Sequence, residues 1–195
     1  MTARRRMVRS FSGAAVPDGV LDRILAAATT APAAGNTAGW DAVVLVGSSE
    51  TGPFWEATTT DDWRRRSRRW PGLRRAPVVV ALFVDPGAYL ERYAQPDKLG
   101  SGLERGEAWA VPYWMVDGGF AALLLLLAAA DAGLGACFLG NFRGEEALRH
   151  ALGVPADRRY LGAVLLGEPG GDDPPSSSAR RGRRDPAAAF HRGRW

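Results

Sequence analysis

Residues 77–84 (Pro77, then Val78-Val79-Val80-Ala81-Leu82-Phe83-Val84) form an unbroken apolar run. That run limits the possible folds more than any other stretch. A strand with no polar side chain to turn toward water needs cover on both faces, so it belongs inside a sheet. Residues 160–166 read as a second core strand ended by Gly167, and shorter strands are expected at 42–46 and 135–139. Val20, Leu21, Ile24, Leu25 and Ala28 recur at helical spacing, which predicts a helix that opens at residues 16–18 and stops by Pro32. Residues 117–131 read as a long buried helix, with Asp117 as its N-cap and Gly133 as its stop. Gly144, Glu145 and Glu146 open a short helix with acids at its positive end, and residues 153–155 close it. Helices and strands mixed in this way predict one α+β domain over residues 1–170.

A different composition begins at Gly170. Residues 170–178 are rich in Gly, Pro, Asp and Ser and read as a linker. The end of the 171–195 segment carries Arg180, Arg181, Arg183, Arg184, Arg192 and Arg194. Phe190 and Trp195 are costly to leave in water, so this basic tail is expected to dock on something.

Several chemistries have little material here. Cys137 is the only cysteine, and His150 and His191, the only histidines, lie far apart. No disulfide, metal centre or histidine triad is expected. The longest apolar run, residues 120–130, lies between Asp117 and Asp131 and is too short to cross a bilayer. The N-terminus lacks the apolar core of a secretory signal. A cytoplasmic protein without a membrane partner is therefore expected.

The net charge is +4, yet Lys98 is the sole lysine and Ala, Gly and Arg abound. That bias suits a GC-rich genome and weakens arginine runs as evidence for a partner. Trp55, Trp63 and Trp70 interleave with arginines over residues 55–75, a pattern a single-stranded nucleic-acid binder could use. An amphipathic helix with a solvated basic face is the preferred reading, with nucleic acid set aside as a partner.

Residues 32–40, Pro32-Ala33-Ala34-Gly35-Asn36-Thr37-Ala38-Gly39-Trp40, join the first helix to the first strand. Small side chains there leave the backbone bare, so a flat ligand could lie against it. Asn36 supplies an amide, and Trp40 an apolar anchor. Further on, Tyr93, Trp109, Tyr113 and Trp114 flank a lid-like segment at residues 95–106.

Three further stretches keep this loop company. Arg5-Arg6-Met7-Val8-Arg9-Ser10-Phe11 precedes the first helix, and Gly133-Leu134-Gly135-Ala136-Cys137-Phe138-Leu139-Gly140-Asn141-Phe142 follows the long one. Arg183-Arg184-Asp185-Pro186 leads to His191-Arg192-Gly193-Arg194-Trp195 at the end. In this order and spacing the chain resembles the FMN-dependent nitroreductase family, over nearly its whole length and most thinly at residues 49–115.

The resemblance implies a central, mostly antiparallel sheet flanked by helices in an intertwined homodimer, with two FMN molecules at the interface. It implies that Arg5, Arg6, Met7 and Arg9 line the phosphate and ribityl end, with Arg181 and Arg184 completing the phosphate clamp. Pro32, Ala33 and Ala34 would approach the flavin from the partner subunit, with Asn36 nearby, and the backbone around Leu139 and Gly140 would face flavin N5. No protein side chain is then catalytic. Hydride would pass from NADH or NADPH through flavin N5 to a nitroaromatic, quinone or similar small acceptor, in a ping-pong sequence. Relatives also oxidise natural products, remove halogen, fragment the flavin or use a deazaflavin, and those readings stay open. The chain departs from the usual motifs at Met7, Ala33, Ala34 and Ala38, where polar side chains are usual, and at Gly39, where proline is common.

Overall fold

The computed structural model of the chain describes residues 5–141, 143–173 and 181–195; Arg4, Phe142, Arg180 and the rest of 174–180, with most of the linker, lie outside the described residues. Four strands, β1 (Trp40–Val46), β2 (Val78–Val84), β3 (Gly135–Leu139) and β4 (Arg159–Gly167), form one antiparallel sheet in the order β1-β2-β4-β3. As its composition demands, β2 is inside the sheet and every residue of it is buried.

Alternation along β2 divides the core. Val78, Val80 and Leu82 pack with Leu21 and Ile24 of α1 (Asp18–Ala28) and with Ala121, Leu125 and Ala129 of α6 (Tyr113–Asp131). Val79, Ala81 and Phe83 face Phe54 and Trp55 of α2 (Gly47–Thr58) and Leu148 of α7 (Glu145–Ala151). Each Val, Leu, Ile or Phe among them contributes about 1.5–3 kcal/mol by leaving water, which is why the strand is apolar on both faces.

The sheet continues past β3 through the N-terminal arginine segment. Met7 pairs with Ala136 in parallel, and the Val8 amide donates to the Ala136 carbonyl at 2.9 Å. Gly170 donates to Ser10 at 2.8 Å, so the segment is held between β3 and the chain leaving β4.

Two expectations change. Residues 49–75 hold three short pieces in place of a single amphipathic helix: the end of α2, then α3 (Asp61–Arg66) and α4 (Trp70–Leu73). The Thr60 hydroxyl accepts the Trp63 amide and starts α3, and Pro71 sits in the first turn of α4. Trp55, Trp70 and Trp63 stack edge to face at 5.3 and 5.8 Å, with the Arg64 guanidinium 5.4 Å above Trp70. The aromatics pack on one another here and do not form a ladder for bases.

Asp117 is not an N-cap. Pro112 begins α6, and Asp117 sits inside the helix, 2% exposed. With residues 113–116 added to the expected span, this 19-residue helix is long and apolar enough to cross a membrane by length and composition. Here it is a core helix, with its Ala121, Leu125 and Ala129 face packed against β2 and β4.

Candidate functional site

A cleft of about 240 Å³ opens where the N-terminal segment meets β3, lined among others by Arg5, Arg6, Val8, Leu126, Gly135 and Ala136. Gly135 lets the segment come close: a Cβ there would lie 2.9 Å from Val8 Cγ1. Arg5 is half-buried, and its Nη1 is buried without a hydrogen-bond partner among the described residues. A buried cationic donor left in that state costs upward of about 1–3 kcal/mol, a cost that an acceptor entering the cleft would relieve. Arg6 is exposed, with Nη1 3.9 Å from the Asp173 carboxylate, which also accepts the Arg9 amide at 3.1 Å. Arg9 donates from Nη1 to its neighbour's carbonyl, Met7 O, at 3.3 Å. The Met7 thioether accepts the Phe138 amide at 3.5 Å, so it acts as a tether to β3 where a serine would offer a hydroxyl.

Leu139 and Gly140 end β3 on the same sheet edge, Leu139 half-buried and Gly140 exposed. Three strand steps of about 3.3 Å separate Ala136 from Leu139, so about 10 Å of edge links the arginine end to the Gly140 end. Next to them, Asn141 accepts the Tyr160 hydroxyl at 3.1 Å. Burial pushes the Cys137 thiol up, which leaves it inert as a nucleophile.

The loop at residues 32–40 is elsewhere. Pro32 and Asn36 are exposed, Ala33 and Ala34 half-buried, and Ala34–Asn36 forms one 3₁₀ turn. Gly35, Asn36 and Ala38 all have left-handed backbone, at φ 62, 56 and 48°. The Ala34 amide donates to Asp117 Oδ2 at 2.7 Å, and Arg92 Nε donates to the Gly35 carbonyl at 2.8 Å. Leu126 and Ala130, which line the arginine cleft, lie nine and thirteen residues beyond Asp117 on α6. At 1.5 Å per residue that is about 14–20 Å of helix. One chain thus brings the first and third motifs together and holds the second at the far end of α6.

Beneath the loop, the Trp109 ring meets Tyr93 at 4.9 Å, Tyr113 at 5.8 Å, Trp114 at 5.9 Å and Tyr89 at 6.0 Å. Arg92, on α5 (Pro86–Tyr93), also grips both Asp97 oxygens at 2.7 Å and holds that carboxyl below the usual range. Trp109 Nε1 donates to the Leu103 carbonyl at 2.7 Å. These bonds tether the segment read as a lid. Sequence reasoning took Asp117 for a helix cap and passed over Tyr89 and Arg92. The available signal was a lone carboxylate inside an otherwise apolar helix.

Arg181 and Arg184 are exposed and far from other cations of the cleft in sequence; Arg184 turns back to the Ala188 carbonyl. Phe190 and Trp195 are 78% and 96% exposed, so these two rings are left uncovered among the described residues.

Three comparisons with known proteins bear on this arrangement. The model of the nitroreductase family matches residues 2–168. The chain is 30% identical over 192 residues to a protein of Thermus thermophilus named NADH dehydrogenase, with 89% of this chain and 87% of the relative covered. Among solved structures it is similar to a nitroreductase family protein from Streptococcus pneumoniae, with a TM-score of 0.70, 18% identity, and 99% and 98% of the two chains covered. It is similar also to an FMN-dependent nitroreductase from Clostridium difficile R20291, with a TM-score of 0.68, 18% identity, and 98% and 96% covered.

Proposed function

Because the chain belongs to the nitroreductase family, we propose that it is a homodimeric, FMN-dependent NAD(P)H oxidoreductase acting on a nitroaromatic, a quinone or a similar flat acceptor. The observation that carries this reading is the buried Arg5 Nη1, without a partner among the described residues, in a cleft that opens onto the β3 edge. A phosphate is the ligand class that fits a planar guanidinium fork of this kind. The names of the Thermus and Clostridium proteins support the reduced nicotinamide and the flavin, respectively.

In this reading Arg5, Arg6 and Arg9 hold the phosphate end, and Arg181 and Arg184 reach it from the tail. Met7 keeps the segment on β3. The backbone at Leu139 and Gly140 presents amide donors to the ring, and the absence of a side chain at Gly140 keeps that approach open. Pro32, Ala33, Ala34 and Asn36 form an apolar wall with one amide. FMN held there would supply the hydride-transfer chemistry between a reduced nicotinamide and the acceptor, while the residues above bind and orient it.

The dimer is supported by what one chain leaves uncovered. Tyr113, Phe120 and Leu123 are 44%, 41% and 46% exposed along one stripe of α6. Beside them a groove of about 480 Å³ runs between α1 and α6, lined by Val20, Ile24, Leu124 and Leu127 with Arg23 and Asp131. In this reading the 32–40 loop of one chain meets the arginines of the other, since about 14–20 Å of helix separates the two within a chain.

The test is a visible absorption spectrum of the purified protein supplied with FMN, followed by anaerobic addition of NADH or NADPH. A bound-flavin spectrum that bleaches with one of them is expected. Protein that takes up no FMN contradicts the reading.

A further inference from the structure

Among the described residues, Asp117 is the only carboxylate that is buried as a whole residue, and helix formation does not require it. Its neighbours on α6 are apolar or glycine, and a buried carboxylate is costly unless it is hydrogen-bonded. Oδ2 accepts two donors: the Ala34 amide at 2.7 Å and the Tyr89 hydroxyl at 2.8 Å. Tyr89 is fully buried, and its ring lies so close to Gly39 that a Cβ there would be 2.5 Å from Tyr89 Cε2. One carboxylate therefore reaches both ends of the loop, directly at Ala34 and through the Tyr89 ring at Gly39.

The loop needs such an anchor. Its own bonds are local: Asn36 to Ala33 at 2.9 Å, Thr37 to Ala34 at 3.2 Å and Trp40 to Ala38 at 2.9 Å. They define a turn but do not place it against the domain. Ala33 and Ala34 carry no hydroxyl that could bond outward, and the non-glycine residues Asn36 and Ala38 hold left-handed backbone that a free loop would abandon. Such conformations persist only where the surroundings over-determine them. The tethers come from outside, from Asp117, from Arg92 on the Gly35 carbonyl, and from the Asp85 amide on the Gly39 carbonyl at 2.9 Å.

We infer that Asp117 is the positioning residue of the flavin-facing loop, with Tyr89 as its second arm. It acts through the Ala34 amide and touches no reactant. This rests on the flavin reading above, because the loop is taken to form one wall of that site. The role is one of geometry, so an acceptor oxygen at this place suffices and the negative charge does not itself matter.

The experiment compares wild type, Asp117→Asn and Asp117→Leu, with two readouts. One is hydrogen exchange of the 33–39 peptide in flavin-free protein, with the β2 peptide as internal control. The other is FMN affinity, from quenching of flavin fluorescence. Asp117→Leu should speed loop exchange at least tenfold with β2 unchanged, and should weaken FMN binding at least tenfold. Asp117→Asn, which keeps an acceptor for Ala34, should stay within threefold of wild type on both. Asp117→Leu within twofold of wild type on both overturns the inference, as does Asp117→Asn behaving like Asp117→Leu.

Should Asp117→Leu fail to fold, Tyr89→Phe, which removes the carboxylate's other donor, carries the test. At least threefold faster loop exchange is expected, and an unchanged rate overturns the inference. Wild type that binds no FMN contradicts the flavin reading alone, since the exchange arm still reports on the tether.

Discussion

Val8 donates its amide to the Ala136 carbonyl at 2.9 Å, and this bond joins the two stretches that matter most for an anionic ligand. One is the arginine segment and the other the glycine-lined start of β3. Because the pairing is parallel to an edge strand, the arginine segment runs along the rim of the sheet, with Arg6 exposed and Arg5 and Arg9 half-buried.

Arg5→Ala should weaken FMN binding by about 10- to 100-fold, since a charge-assisted hydrogen bond is worth about 1.5–3 kcal/mol. The flavin-free protein should lose little stability, because Arg5 Nη1 has no hydrogen-bond partner among the described residues to lose. Fluorescence titration and thermal melting check the two halves separately. Equal FMN affinity in the variant would mean that another cation holds the phosphate.

Asp173 places a carboxylate 3.9 Å from Arg6 and on the Arg9 amide, beside the cleft proposed for phosphate. An anion entering there meets this charge. Asp173→Asn keeps an acceptor for the amide and removes the repulsion, so FMN should bind up to about fivefold more tightly, the scale of a partly exposed ion pair. The gain should shrink as salt rises. Titration at low and high ionic strength checks both statements.

The layers of this fold were legible because their signals are local. The apolar run of β2 could sit only inside a sheet, and the Val20, Leu21, Ile24 spacing of α1 could present only one face to it. Asp117 misled for the same reason: Asp is a preferred cap, and its real partner, the Ala34 amide, is 83 positions away. Pro112, the true start of α6, was the better local signal. In residues 49–75 the Thr60 cap and Pro71 cut a helical pattern into pieces. The arginines and β3 could be joined only through a family likeness, because no periodicity announces that Met7 will pair with Ala136. The Arg92 bond to the Gly35 carbonyl left no trace in the motif it supports.

Ala38 is a non-glycine residue at φ 48°. Left-handed backbone costs an L-residue about 1–2 kcal/mol that glycine does not incur, offset in part by the freedom glycine adds to the unfolded chain. Ala38→Gly should therefore stabilise the protein by up to about 1 kcal/mol, read as a higher urea midpoint with an unchanged slope. A lower midpoint would show that the Ala38 methyl has packing value that outweighs its strain.

Burial raises the Tyr89 and Tyr160 hydroxyls above the ordinary value, and for Tyr89 the hydrogen bond to Asp117 adds to the shift. The folded state therefore keeps these protons longer than the unfolded chain, whose tyrosines titrate near pH 10. Their contribution is fully present below pH 10 and is lost as pH rises above it through the folded values. Between pH 10 and 11 stability should fall by up to about 1.4 kcal/mol per pH unit for each tyrosine. Tyr89→Phe should remove its share of that slope. Urea unfolding at pH 9, 10 and 11 checks this, and an equal slope in the variant would contradict it.

The central claim is that one flavin site is assembled from two chains: arginines and β3 edge from one, the Asp117-anchored loop from the other. Native mass spectrometry of the protein saturated with FMN tests it most directly. The expected species is twice the 20.9 kDa chain carrying two FMN molecules, with little flavin on any monomer. A monomer that retains one FMN, or a dimer that carries none, would contradict it.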